Sequence, residues 1–115
     1  MNRVCLVGRL CKDIDLKYSQ SGTAVAKVSI AVDGYKKDEV DFINLTMFGK
    51  TAEFAAQYTE KGCLVEVEGR IKNNNYEKDG KTVYRDDVIA EKFRPHTWKK
   101  KDEQGNDAAG SNFPF

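Results

Sequence analysis

Histidine occurs once in this chain, as His96, and no two of its cysteines have CxxC spacing. Zinc centres draw three or four nitrogen and sulfur ligands from short spacings, so no metal site is expected. The three cysteines, Cys5, Cys11 and Cys63, are odd in number. That argues against a disulfide framework and fits a reducing compartment. They read as small buried thiols, and His96 reads as a surface residue. Carboxylates are present but not clustered. The nearest pair, Asp86-Asp87, falls in a predicted strand, where adjacent side chains face opposite ways and do not share a metal. No nucleophile has a base companion. Neither an enzyme nor a cofactor is expected. Long apolar runs are missing too. Nothing approaches the ~20 residues of a membrane-spanning helix, and the opening Met1-Asn2-Arg3-Val4-Cys5 lacks the apolar stretch of a signal peptide. A cytoplasmic protein with no membrane partner is expected.

The 115 residues are enough for one domain, since domains most often hold about 100–150. No internal repeat is visible. Charge is unevenly spread. Residues 1–101 carry 19 Lys and Arg against 15 Asp and Glu, whereas residues 102–115 carry three acids and no base. Such asymmetry hints at contact with nucleic acid. The last part, from Lys99, is too polar to bury a core. The sequence therefore predicts a folded domain over residues 1–98 and a disordered tail over residues 99–115 ending in Phe113-Pro114-Phe115.

Five strands are predicted in the folded part: residues 3–10, 23–33, 40–48, 64–72 and 82–93. Ser21-Gly22 and Asp79-Gly80 supply turns. One helix is predicted over residues 51–61, with Thr51 as N-cap and Gly62 past its end. Ala52, Ala55, Ala56 and Thr59 give it a narrow stripe of small residues, with Phe54 and Tyr58 paired beside it. The fold class is all-β with one helix. Five strands with a helix between the third and fourth is the order of the OB-fold, a five-stranded Greek-key barrel that often binds oligonucleotides.

Alternation along the strands separates two faces. In the third strand Ile43, Leu45 and Met47 suit a core. Phe42, Asn44, Thr46 and Phe48 form the other set, where two polar groups would be costly in a dry interior. Phe42 and Phe48 are therefore expected to face a ligand, as platforms for unpaired bases. In the fourth strand Cys63, Val65, Val67, Gly69 and Ile71 are expected inside, and Arg70 and Lys72 outside along a phosphate backbone. Tyr76 supplies another ring, and Tyr35-Lys36-Lys37 sets an aromatic beside two cations. The expectation is a groove for a single strand, with RNA or a protein partner as the alternative occupant.

Several blocks resemble the bacterial and phage single-stranded DNA-binding proteins. They are Asn2-Arg3-Val4-Cys5-Leu6-Val7-Gly8-Arg9-Leu10 with Lys12-Asp13, then Tyr18 with Gly22-Thr23-Ala24-Val25-Ala26. Asp41-Phe42-Ile43-Asn44, Phe48-Gly49-Lys50-Thr51-Ala52-Glu53, Lys61-Gly62 and Val67-Glu68-Gly69-Arg70-Ile71 complete the set. The likeness covers residues 1–94 and the last three. It implies stacking at Tyr35, Phe42, Phe48 and Tyr76; several members carry tryptophan where this chain has Phe42 and Tyr76. The nucleic-acid contacts expected in total are Arg3, Tyr35, Lys36, Lys37, Phe42, Asn44, Phe48, Lys50, Arg70, Lys72 and Tyr76. The resemblance also implies a homotetramer, with a dimer as the alternative, whose contact is built partly by the first strand. It implies roles in DNA replication, recombination and repair, in the cytoplasm with the nucleoid, or in a host's cytoplasm if the chain is phage-encoded. Phe113, Pro114 and Phe115 would dock replication and repair proteins, although Gly110-Ser111-Asn112 stands where the family usually has acids. Trp98 has no role assigned.

Overall fold

The computed structural model describes residues 1–99; the rest of the tail, residues 100–115 with the tip Phe113 to Phe115, lies outside the described residues. In chain order the elements are β1 (Val4–Leu10), β2 (Asp15–Tyr18), β3 (Ala24–Asp33), β4 (Val40–Phe48), α1 (Gly49–Tyr58), β5 (Leu64–Asn73), β6 (Tyr76–Lys78), β7 (Lys81–Val83) and β8 (Asp86–Pro95). The sheet runs β1-β5-β8-β4-β3-β2, and a β1–β3 pairing closes five of these strands into a barrel. All its pairings are antiparallel except β4 with β8. This is the OB-fold, with α1 between the third and fourth barrel strands.

The core follows from the alternation of β3, β4 and β5. Ala24, Ala26, Val28 and Ile30 of β3 point inward, as do Leu45 and Met47 of β4 and Val65 and Val67 of β5. Val88, Ala90 and Phe93 of β8 complete it. Those three do not share one parity, because a bulge at Glu68/Gly69 shifts the β5–β8 register and exchanges the faces of β8. Helix α1 closes the barrel with Ala52 and Ala55, both fully buried, and with Thr59.

The helix is displaced from its expected span. It starts at Gly49, whose positive φ turns the chain out of β4, and Phe48 rather than Thr51 is the N-cap, with no side-chain bond. It ends at Tyr58, its C-cap Thr59 is already extended, and Gly62 lies in the following turn. The strand expected over residues 82–93 is two elements: Asp79-Gly80, both at positive φ, turns β6 into β7, and β8 begins only at Asp86. Strand β2 was not expected.

Two burial expectations are also corrected. Cys63 is buried, but Cys11 is half-buried and Cys5 is exposed, because Cys5, Val7 and Arg9 form the outward face of β1. Ile71 is exposed rather than in the core. Strand β1 pairs with β5 only as far as Gly69, so Ile71 projects past its end. There the side chain of Asn2 stands in for a strand: Asn2 Nδ2 donates to the Ile71 carbonyl (2.7 Å) and the Ile71 N–H donates to Asn2 Oδ1 (2.8 Å).

Trp98 packs edge-on against Phe54 and Tyr58, with centroids 6.1 and 5.9 Å away, and the Lys99 N–H donates to the Tyr58 carbonyl. The chain thus leaves the barrel along α1. Strand β2 is tied to the same helix, where Tyr18 donates its hydroxyl hydrogen to Glu53 Oε2 (3.0 Å). That bond and the nearby negative charge raise the Tyr18 phenol above its ordinary value.

Candidate nucleic-acid interface

The outward face of β4 carries Phe42, Asn44, Thr46 and Phe48, set by register against Ala31, Ser29, Lys27 and Val25 of β3. Phe42 is 68% exposed and Phe48 49% exposed. They stand six residue steps apart along the strand, about 20 Å at ~3.3 Å per residue, which is room for several nucleotides. Between them Asn44 is half-buried and accepts a hydrogen bond from the Ser29 hydroxyl (3.0 Å). Thr46 shares the face but is only 6% exposed. It sits between β3 and β8, opposite Lys27 on one side and Ile89 on the other.

A groove opens at this point. Its walls are Phe48, Val25, Lys27, Lys72, Asn74 and Asp87, with Thr46 and Ile89 between them. It therefore combines apolar surface for a base with two ammonium groups for phosphate. The register continues across the barrel, because Ile89 pairs with Arg70 and Asp87 with Lys72.

Strands β3 and β4 meet at the far end in the loop holding Tyr35, Lys36 and Lys37. The loop is closed by Gly34 N–H to the Glu39 carbonyl (2.9 Å), Glu39 N–H to the Lys36 carbonyl (3.1 Å) and Lys36 N–H to Glu39 Oε1 (3.2 Å). Tyr35 and both lysines are exposed, and Tyr35 has its whole ring in solvent. Since Val40 pairs with Asp33 and Phe42 with Ala31, this loop lies at the Phe42 end of the face. Tyr76 opens the β6–β7 hairpin beyond Lys72 and is also exposed.

The other expected residues are placed differently. Arg3 lies beyond the edge of β1, its Nη2 held 3.0 Å from Glu68 Oε2. Arg70 faces outward with its Nε 3.9 Å from Glu91. Lys50, in the first turn of α1, lines a separate groove with Thr51, Phe54, Glu91, Lys92 and Arg94. So Phe42, Asn44, Phe48 and Lys72 stand together, with Tyr35, Lys36, Lys37 and Tyr76 on projecting loops. Arg3 and Lys50 stand apart from them.

Two side chains escaped the sequence reading. Lys27 is exposed on β3, directly across from Thr46. The alternation of Ala24, Ala26, Val28 and Ile30 would have turned it outward had β3 been read as β4 was. Tyr84 is exposed between β7 and β8. It stands beside Arg85, an aromatic next to a cation, which is the pattern that singled out Tyr35. Among the described residues, no group of three or more His, Cys, Asp or Glu side chains is placed to hold a metal ion, and no helix is long and apolar enough to cross a membrane.

Residues 1–96 match the model of the single-strand binding protein family. The chain is 44% identical to a single-stranded DNA-binding protein of Clostridium perfringens (strain 13 / Type A), over 100% of this chain and 79% of that one. It is 46% identical to single-stranded DNA-binding protein B of Bacillus subtilis (strain 168), over 81% of this chain and 88% of that one. Identity to a single-stranded DNA-binding protein of Bacillus cereus is 48%, over 79% of this chain and 57% of that one.

Proposed function

Since the chain belongs to the single-strand binding protein family, a family of non-enzymatic DNA-binding proteins, we propose that it binds single-stranded DNA without sequence preference. Bases stack on Phe42 and Phe48, and on Tyr35 and Tyr76 where the loop and hairpin extend the path. Lys27, Lys72, Lys36 and Lys37 meet the phosphates.

The carrying observation is the face of β4. Two phenylalanines stand about half or more exposed on a polar strand face. Full burial of such a ring contributes about 1.5–3 kcal/mol; the exposed half or so of each forgoes a matching share, which a stacked base recovers. Every base has a π-face, so stacking tolerates any sequence. In a duplex those faces are already covered by neighbouring bases, and the platforms favour unpaired strands. Arg3 and Arg70 stand near carboxylates, whereas Lys27 and Lys72 take part in no ion pair among the described residues. These two lysines are the readier phosphate partners.

The salt dependence of binding tests this assignment. For single strands, log K falls with log salt by roughly 0.7 for each phosphate contact. Lys27→Ala and Lys72→Ala are each expected to flatten the slope for a labelled thymidine oligomer by about that amount. Arg3→Ala, whose guanidinium Glu68 already holds, changes it less. Slopes unaltered by both lysine substitutions would remove the phosphate assignment.

The wider reading rests on family likeness. Protection of single strands during replication, recombination and repair in the cytoplasm fits a sequence-independent binder. A homotetramer, or a dimer, would use the outward face of β1, where Val7 is exposed. Docking of replication and repair proteins through Phe113, Pro114 and Phe115 is supported by the likeness of those residues to the family's tip.

A further inference from the structure

Residues 74–85 leave the barrel between β5 and β8 and carry both Tyr76 and Tyr84. The β6–β7 hairpin within them is exposed, apart from half-buried Val83. Apolar packing therefore does little to set its angle. Polar bonds at its root do so instead. The Asn74 N–H donates to the Arg85 carbonyl (2.7 Å), and the Arg85 N–H donates to Asn75 Oδ1 (3.0 Å). Beneath them lies Asp87, 3% exposed. Asn74 Nδ2 donates to its Oδ2 (3.0 Å) and Arg85 Nε to its Oδ1 (2.9 Å). One buried carboxylate thus grips the first and last residues of the excursion. Burying a carboxylate is costly unless it is paired and hydrogen-bonded, and here the two roots of the hairpin supply one donor to each of its oxygens. Asp87 also stands in the wall of the groove that holds Phe48 and Lys72.

We infer that Asp87 is a positioning residue for strand binding: it fixes the hairpin so that Tyr76 is set beside the Phe48 groove before DNA arrives. It touches no base or phosphate itself. A hairpin ordered in advance spares the complex the cost of ordering it on binding. This rests on the proposed stacking role of Tyr76.

A double-mutant cycle with a thymidine oligomer tests it, together with hydrogen exchange on the free protein. Asp87→Ala is expected to weaken binding roughly tenfold in the parent chain, the scale of one stacked base, and by less than about twofold in the Tyr76→Ala background. Asp87→Asn, which keeps the shape and one accepting oxygen, recovers part of the loss. Without DNA, Asp87→Ala speeds exchange of the amides of residues 76–83 and leaves those of β3 and β4 unchanged. If Asp87→Ala does not fold, Asn74→Ala removes one of the two bonds to the Asp87 carboxylate and carries the same comparison. Equal losses in both backgrounds, or unaltered hairpin exchange, overturn the inference. A Tyr76→Ala chain that binds normally overturns it too, while leaving single-strand binding in place. A parent chain that binds no single strand overturns the proposed function itself.

Discussion

Replacing Phe42 and Phe48 together with alanine is expected to weaken single-strand binding roughly 30-fold or more while the barrel stays folded. Each stacked base contributes about 1–3 kcal/mol by alanine substitution. Two such losses amount to about 2–6 kcal/mol, and every 1.4 kcal/mol is a factor of about ten in affinity. The fold should tolerate the change because neither ring is in the core: Ile43, Leu45 and Met47 carry the inward face of β4, and both phenylalanines stand on the other. Fluorescence titration with a thymidine oligomer gives the affinity, and a thermal melt gives the control. A folded double variant of unchanged affinity would sink the stacking assignment.

Gly69→Ala is expected to do the opposite, damaging the fold first and binding only as a consequence. A Cβ at position 69 would stand 1.8 Å from the Ile89 carbonyl oxygen, 2.8 Å from its carbon and 3.1 Å from the Ala90 Cα. All three are backbone atoms of β8, so no side chain can swing aside. Strands β5 and β8 must part at the bulge where their register shifts. That junction is also where the faces of β8 exchange, bringing Ala90 and Val88 into the core and turning Ile89 toward the groove. Overpacking in a tight core costs about 1–3 kcal/mol and sometimes more; with backbone as the obstacle, a loss near the top of that range is expected. At about 4–8 °C per kcal/mol for a domain of this size, a loss of about 3 kcal/mol lowers the melting temperature by roughly 12–24 °C. A shift of only a degree or two would mean that the strands separate there without strain.

The parts of the fold that alternation governs were legible in the sequence. Leu45 and Met47 turned inward and Phe42 and Phe48 outward because β4 keeps one unbroken register with β3 from Val40 to Phe48. The five barrel strands and the place of the helix followed from runs of β-branched and aromatic residues between turn signals. What failed was set by contacts distant in sequence. Strand β2 is four residues long and exists because β3 pairs with it. Ile71 has the parity of a core residue and is exposed because β1 stops at Val4. Thr46 has the parity of a solvent residue and is covered because strands flank it on both sides. Cys5 is outward because β1 offers its odd residues to solvent, which a hydrophobic run such as Val-Cys-Leu-Val does not reveal. Lys27 and Tyr84 were visible in principle, the first by alternation and the second by its cationic neighbour. Asp87 was seen only as half of an acidic pair. Its grip on Asn74 and Arg85 depends on how a hairpin closes, which neither residue type nor spacing conveys.

Competition between strand types tests the central claim most directly: a labelled thymidine oligomer, a matched duplex and a matched RNA strand, each titrated at two salt concentrations. Tight binding of the single DNA strand, much weaker binding of the duplex, and loss of affinity as salt rises are the expected results. Equal binding of strand and duplex, a preference for the RNA, or no binding at all would contradict that claim and leave the exposed face of β4 to another partner.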